Sequence, residues 1–205
     1  MRATRIVFLA VGWVLLFSAG CKKNAVDSVA FKSALNSYYA NQQECLWTAP
    51  VKFPQQADTN KDEDTKTYDA LTDAGLLTRK PEEKKRFLIG SKQVNDYDLS
   101  DQGRSSWTAD PSQPGYGNFC FGHPQVTAID NYTAADDTGT RYNVTYHYGP
   151  ANLPAWANSA EMKTAFPKLA VEASGRQAAT ATLLKVENGW QVQNVQPIPM
   201  PAGTM

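Results

Sequence analysis

Residues 178–195, Ala-Ala-Thr-Ala-Thr-Leu-Leu-Lys-Val-Glu-Asn-Gly-Trp-Gln-Val-Gln-Asn-Val, decide the fold of the carboxyl-terminal half. Two mainly apolar runs flank Glu187-Asn188-Gly189. Asn-Gly between such runs is the strongest short-range signal of a β-hairpin, because both residues tolerate the positive φ angles of a type I′ turn. The sequence therefore predicts antiparallel strands at 178–186 and 190–195, joined by a type I′ turn.

The residues before this hairpin extend the predicted sheet. Side chains of a strand point alternately to its two faces, and residues 141–148 alternate between apolar and polar types in that way. Asp136-Asp137-Thr138-Gly139 predicts a turn before this strand, and residues 119–121 and 126–132 predict earlier strands. Asn158 and Glu161 have the spacing of a capping box, so a short helix is expected there, ending at Pro167.

The amino-terminal half has helical spacing at its start. Residues 25–43 predict a helix, because apolar side chains recur at positions i, i+4 and i+7 to form one stripe: Phe31, Leu35 and Tyr38. Residues 51–53 lie between two prolines and predict a short edge strand, since proline is tolerated only at the edges of sheets.

An acidic segment follows the edge strand. Residues 55–66 are polar and charged and predict a solvated loop. Asp58-x-Asn60-x-Asp62-x-Asp64, with Asp69 at the twelfth position, has the oxygen-ligand spacing of a calcium loop. Glu63 stands where that loop requires glycine, and Asp69 is shorter than the usual bidentate glutamate. The segment is therefore interpreted as an acidic surface loop, and no cofactor or metal is predicted.

A longer pattern occupies residues 67–104. Tyr68–Gly75 predicts a helix ended by glycine, a hairpin is predicted next, and Tyr97-Asp-Leu-Ser-Asp-Gln-Gly-Arg follows, with Ser100 as a helix cap. This order resembles the third helix, wing and following helix cap of winged-helix domains. The corresponding DNA-reading helix, roughly Thr65 to Ala74, would carry Asp69 and Asp73 against Lys66 and would repel phosphate. The segment is therefore interpreted as a scaffold, with no nucleic-acid partner.

These segments together predict an α+β fold in one compact domain. The expected organisation is a helical amino-terminal half with the winged-helix-like segment, over 21–107, and a carboxyl-terminal antiparallel β-sheet with a short helix, over 118–196. The chain has 20 basic and 20 acidic residues among 205, so its formal net charge is zero. That balance argues against a general nucleic-acid binder, which needs a cationic face.

The amino terminus has the pattern of an export signal. Two arginines precede the apolar stretch 6–17, and Ser18-Ala19-Gly20-Cys21 follows it. This order resembles the lipobox of bacterial lipoprotein precursors, although Ser18 stands where that family usually has leucine. The resemblance implies a signal peptide over 1–20 and a lipid on Cys21 that anchors the chain to a membrane. Lys22, rather than aspartate, implies the outer membrane, with the protein facing the periplasm. The alternatives are an ordinary signal peptide and a buried amino-terminal helix.

The remaining cysteines agree with export. Cys45 and Cys120 predict one disulfide in an oxidising compartment, with Cα atoms about 4.4–6.8 Å apart and residues 44–47 beside the strand at 119–121. The alternative is two separate buried thiols. No Cys-x-x-Cys motif occurs, and the two histidines, His123 and His147, lack zinc-ligand spacing.

No catalytic motif stands out, so two classes of function remain. The first is a lipid-anchored, non-catalytic envelope lipoprotein that binds a protein or cell-wall partner. The alternative is an envelope hydrolase that uses carboxylates or a histidine. A cavity with two carboxyl groups about 5–9 Å apart would favour the hydrolase, and a continuous exposed apolar patch would favour the binding protein. Tyr142, Tyr146 and Tyr148 are interpreted as core, with a stacking platform for a glycan as the alternative.

Overall fold

Two antiparallel sheets organise the chain. The computed structural model describes residues 23–85 and 91–199. In chain order, the elements are α1 (Lys23–Tyr39), β1 (Glu44–Cys45), β2 (Val51–Lys52), β3 (Gln55–Asp58), α2 (Asp62–Asp73), β4 (Leu77–Lys85), β5 (Ser91–Leu99), α3 (Asp101–Ser106), β6 (Trp107–Ala109), β7 (Tyr116–Ala134), β8 (Arg141–Ala151), a 3-10 helix (Ala155–Asn158), α4 (Ala160–Ala165), α5 (Pro167–Ala173), β9 (Gln177–Val186) and β10 (Gly189–Ile198).

The larger sheet is curled and has the strand order β1-β7-β8-β9-β10, with β2 and β6 also paired to β7. Helix α1 lies on one face of this sheet. Phe31, Leu35 and Tyr39 are buried and form a core with residues of β7, β8 and β9, among them Val144 and Leu183. The apolar stripe of α1 therefore includes Tyr39 and not the predicted Tyr38, which is 41% exposed.

Helix α1 also covers the free edge of β7. The backbone N–H of Val126 donates to Asn36 Oδ1 over 2.8 Å. Lys32 Nζ donates to the carbonyl oxygen of Thr127 over 3.1 Å. An edge strand left open is a template for pairing with another chain, so these two side chains satisfy backbone groups that would otherwise be open.

The smaller sheet has three strands in the order β3-β5-β4. Helix α2 packs against it, and the second core joins this sheet to the first, since Leu71 and Tyr97 share one cluster with Phe119 and Phe121 of β7. Helices α4 and α5 contribute Met162 and Leu169 to the same cluster.

The predicted α+β class with a helical amino-terminal half is wrong. The fold is mainly β, its helices are short, and six of the ten described strands precede residue 110. Residues 55–66, predicted as a solvated loop, contain β3 and the start of α2. The polar Gln55–Asp58 becomes a strand because it pairs with β5, and the Ala57 side chain is buried there.

The carboxyl-terminal sheet was predicted correctly, except in its details. Strands β9 and β10 pair as the expected hairpin, but its turn is not type I′, because Gly189 has positive φ and Asn188 does not. Ser159, one residue after the predicted Asn158, caps α4 by accepting from the backbone N–H of Met162. Pro167 begins α5 instead of only ending the preceding helix, because its missing N–H costs nothing at a first helical position.

The predicted disulfide is confirmed. Cys45 and Cys120 are bonded, with a sequence separation of 75 residues. Their Cα atoms lie 3.9 Å apart, closer than the predicted range, because the two residues stand directly opposite each other in the β1–β7 pairing. The neighbouring residues 44–47 run beside the strand at 119–121 as expected, since Leu46 N–H donates to the Phe119 carbonyl.

Candidate functional site

A cavity of about 480 Å³ lies at the small sheet, between its β4 and β5 strands, α3 and Pro54. Thr78, Lys80 and Glu82 alternate along β4 and line it. Asp96 and Asp98 of β5 join them because Lys80 pairs with Asp96 and Thr78 with Asp98. Paired residues of an antiparallel ladder point to the same face, so the hairpin register assembles the cavity wall.

The intervening residues hold the opposite face of the hairpin against α2. Arg79 Nη1 lies 2.7 Å from Asp69 Oδ1, and the Tyr97 hydroxyl donates to the same oxygen over 2.7 Å. Burial, followed by the hydrogen bond to Asp69, raises the pKa of Tyr97. Asp69, one of the two aspartates on the predicted DNA-reading helix, therefore joins α2 to the smaller sheet.

Helix α3 supplies the remaining wall. Ser100 caps it as predicted, since its Oγ accepts from the backbone N–H of Gly103 over 2.8 Å. The helix ends at Ser106. Because the helix begins directly after Ser100, Asp101 and Arg104 line the cavity. Arg104 Nη2 lies 3.9 Å from Asp98 Oδ2.

Two carboxyl groups meet inside the cavity. A hydrogen bond with Asp96 is the main cause that raises the pKa of Glu82, and Lys84 and Lys80 oppose this shift. The Oδ1 atom of Asp96 is buried and has no hydrogen-bond partner within the described part of the chain. The cavity therefore combines a carboxyl group of raised pKa with a neighbouring carboxyl group that has one acceptor oxygen unused.

The cavity holds the kind of residues that the hydrolase alternative needs, since the carboxyl groups of Glu82 and Asp96 both line it. Retaining and inverting glycosidases act through two carboxyl groups about 5–9.5 Å apart.

The predicted tyrosines belong to the core. Tyr146 is fully buried, Tyr142 packs on Phe31 with ring centroids 5.3 Å apart, and Tyr148 stacks on Tyr39 at 5.5 Å. Burial raises the pKa of Tyr148 to about 12. The interpretation as core is confirmed, because α1 covers the face that a glycan would need.

The histidines stand away from the cavity. His147 Nδ1 lies 2.7 Å from Asp130 Oδ2 on exposed sheet surface, and His123 is in β7 opposite Ala151. Asp58 of the calcium-like segment pairs with Lys92 Nζ at 2.9 Å. Across residues 23–85 and 91–199, no group of three His, Cys, Asp or Glu side chains is arranged to hold a metal ion.

The sequence did not single out Glu82 and Asp96 as site residues. Polar and apolar residues alternate only in Asp96-Tyr97-Asp98, whereas residues 78–83 are polar at every position except Pro81 and give no alternation. Cys21 lies outside the described residues, so its predicted lipid stays a prediction. None of the helices that the structure describes is long and apolar enough to cross a membrane.

Comparison with known proteins gives no relative. The chain matches no protein-family model, no curated protein and no solved structure.

Proposed function

We propose that this protein is a lipid-anchored lipoprotein of the bacterial cell envelope, attached through Cys21, which binds a protein or cell-wall partner without catalysis. The cavity at the small sheet is the proposed binding surface. The observation that carries the proposed location is the Cys45–Cys120 disulfide. Structural disulfides persist in exported, oxidising compartments and are rare in the cytosol, and the Ser18-Ala19-Gly20-Cys21 sequence supplies the anchor.

Mass spectrometry of the mature amino terminus tests the anchor. We expect an acylated Cys21 in the wild type and a chain without lipid in Cys21→Ser. Cys120→Ser serves as the matched control, because it removes a cysteine but should keep the lipid. An unmodified amino terminus in the wild type would refute the lipoprotein proposal.

The Lys22 residue tests the proposed membrane. In well-studied Gram-negative systems, a residue other than aspartate after the lipidated cysteine implies the outer membrane. We expect the wild type to fractionate with outer membranes and Lys22→Asp to shift to inner membranes, whereas Lys22→Ser should stay with the wild type. Equal distribution of the wild type and Lys22→Asp would contradict the proposed sorting.

The two carboxyl groups of Glu82 and Asp96 in one cavity favour a second candidate, a hydrolase of envelope material that uses carboxyl groups. Release of soluble fragments from purified envelope by the protein is the measurement. Glu82→Gln and Asp96→Asn should each abolish that release. Glu83→Gln should not, because Glu83 has the same charge on the same strand but does not line the cavity. Absence of release by the wild type would leave the binding function as the sole proposal.

A further inference from the structure

We infer that one end of the larger sheet rests on the surface of the lipid bilayer, namely the end formed by the β7–β8 turn (residues 135–140) and the β9–β10 turn (residues 187–188). This inference rests on the proposed function and deepens it, since it needs the lipid on Cys21 and names the face of the domain that meets the membrane. Its basis is the direction of α1 on the sheet and the short segment that joins α1 to Cys21.

Helix α1 lies along β8 with its amino end towards the start of that strand. Tyr39, the last residue of the helix, stacks on Tyr148 with ring centroids 5.5 Å apart. Nearer the amino end of the helix, Phe31 packs on Tyr142 at 5.3 Å. Followed from Tyr39 back to Phe31, the helix therefore passes from residue 148 to residue 142 of β8, and its amino end points beyond the first residue of the strand.

Both turns lie at that same end of the sheet. Residues 135–140 lead into Arg141, the first residue of β8, and Arg141 stands opposite Leu184, near the end of β9. The backbone N–H of Lys185 donates to the carbonyl oxygen of Thr140 over 2.7 Å. The first turn is therefore bonded to the strand that leads into the second, and the amino end of α1 points towards both.

The segment between α1 and the anchor is short. Helix α1 begins at Lys23, two residues after Cys21, and two residues span at most about 7 Å. From Lys23 to Phe31 the helix rises about 12 Å. Phe31 packs on Tyr132 with ring centroids 5.2 Å apart, and from Tyr132 to the first turn the strand extends about 10 Å. Cys21 and the turns therefore lie at a similar distance beyond Phe31, and acyl chains that enter the bilayer at Cys21 bring the turns to its surface.

The side chains at this end suit a bilayer surface. Val29 of α1 and Val186, just before the second turn, are 71% and 40% exposed. Membrane-surface binding grows with the apolar area buried and with attraction to anionic lipids. The exposed charges beside the turns balance, two basic against two acidic: Arg141, Lys185, Asp137 and Glu187. These charges therefore do not repel an anionic bilayer, and the two valines offer it apolar contact.

The cavity at the small sheet lies at the opposite end of β7. This strand has 19 residues, a contour length of roughly 60 Å. Strand β6, which follows α3 directly, pairs with residues 117–119 at the start of β7, whereas the β7–β8 turn follows its end. The proposed binding surface therefore faces away from the membrane, where a protein or cell-wall partner can reach it.

Fluorescence quenching on vesicles tests the inference. The full-length protein, purified with its lipid, is reconstituted in vesicles of phosphatidylethanolamine and phosphatidylglycerol, in which a fraction of the head groups carries a nitroxide quencher. A single added cysteine takes the fluorophore. The native cysteines do not compete, because acylation occupies Cys21 and the other two are bonded to each other. Circular dichroism checks the fold of each variant.

Three labelling positions compare the two ends. Asp137→Cys and Asn188→Cys place the fluorophore on the two turns. Gln113→Cys is the matched control, because Gln113 precedes the start of β7 by three residues as Asp137 follows its end by three, and all three positions are exposed. We expect quenching at Asp137 and Asn188 to exceed that at Gln113 by roughly threefold or more, since nitroxides quench only at short range and most of the length of β7 separates the two ends.

A longer connection supplies a second test. About 12 inserted Gly and Ser residues between Lys22 and Lys23 add a flexible span of roughly 20 Å, so quenching at Asp137 should fall towards the value at Gln113. Equal quenching at Asp137 and Gln113 in the original chain, or unchanged quenching at Asp137 after the insertion, would overturn the inference. Mass spectrometry of the same samples reads the lipid on Cys21 separately. An acylated chain with equal quenching refutes the orientation alone, whereas a chain without lipid refutes the lipoprotein proposal and the orientation with it.

Discussion

The phenolic oxygens of Tyr39 and Tyr146 lie 2.7 Å apart, although 107 residues separate them in the chain. Tyr39 is the last residue of α1, and Tyr146 is in β8. Both side chains are buried, at 5% and 0% exposure. Burial is the main cause that raises the pKa of each hydroxyl, so both stay neutral and one donates to the other. This hydrogen bond joins the end of the helix to the middle of the sheet.

Removing either hydroxyl should destabilise the fold. A buried donor or acceptor that loses its partner costs about 1–3 kcal/mol. We therefore expect Tyr39→Phe and Tyr146→Phe each to lower the free energy of unfolding in urea by an amount in that range. The double variant should lose less than the sum, because it leaves no hydroxyl unpaired.

The neighbouring tyrosine provides the control. Tyr38 is 41% exposed, so Tyr38→Phe should change the free energy of unfolding by less than about 0.5 kcal/mol. Strictly additive losses in the double variant would show that the two hydroxyls do not depend on each other.

Local periodicity predicted those parts of the fold that it alone determines. The alternation over 141–148 and the hairpin at 178–195 gave the carboxyl-terminal sheet, and the spacing of Phe31 and Leu35 gave the buried face of α1. Gln55–Asp58 was missed because its composition is polar. It becomes a strand only by pairing with β5, about 40 residues later, as in Ala57 opposite Asn95. Such long-range pairing leaves no local periodicity in the sequence.

The candidate site depends on register in the same way. Glu82 and Asp96 are 14 residues apart in the sequence and meet because Lys80 stands opposite Asp96. A shift of one residue in that pairing would send one of the two carboxyl groups to the opposite face of the sheet. Composition and spacing could indicate a hairpin at this position but not which carboxyl groups it brings together.

Gly103 should not tolerate a side chain. A Cβ atom at this position would lie 1.9 Å from the carbonyl oxygen of Leu76, a backbone atom that also accepts from the Ser100 N–H over 3.1 Å. We expect Gly103→Ala to lower the free energy of unfolding by more than about 2 kcal/mol, since α3 must move away from the sheet.

Ser105→Ala is the matched control for this prediction, because Ser105 is an exposed residue of the same helix. Its effect should stay within about 0.5 kcal/mol. A Gly103→Ala protein as stable as Ser105→Ala would mean that α3 does not approach Leu76 so closely.

The Glu82 carboxyl should make stability depend on pH. Its hydrogen bond with Asp96 raises its pKa in the folded state, so the folded protein holds this proton more tightly than the unfolded chain. The corresponding stabilisation is complete below the ordinary glutamate pKa and is lost as the pH rises through the folded pKa. The difference in melting temperature, Glu82→Gln minus wild type, should therefore be more positive at pH 7.5 than at pH 3.

Glu83→Gln separates this effect from general charge. The difference in melting temperature between Glu83→Gln and the wild type should not show this rise from pH 3 to pH 7.5. If the difference in melting temperature between Glu82→Gln and the wild type were more positive at acidic pH, the pKa of Glu82 would be lowered in the folded state and not raised.

Reduction of the Cys45–Cys120 bond should destabilise the folded chain without changing its composition. The bond closes a loop of 75 residues, and a loop of that size loses conformational freedom in the unfolded state, so the bond contributes roughly 2–4 kcal/mol. It also holds the two-residue strand β1 on β7. Next to the bond, Glu44 of β1 forms an ion pair with Lys168 of α5 at 2.8 Å.

We expect urea unfolding of the wild type with a phosphine reductant to begin at a lower urea concentration than unfolding without the reductant. The Cys45→Ala/Cys120→Ala variant should match the reduced wild type and ignore the reductant, whereas Cys21→Ser should respond as the wild type does. Coincident unfolding curves for reduced and oxidised wild type would show that the bond constrains neither state.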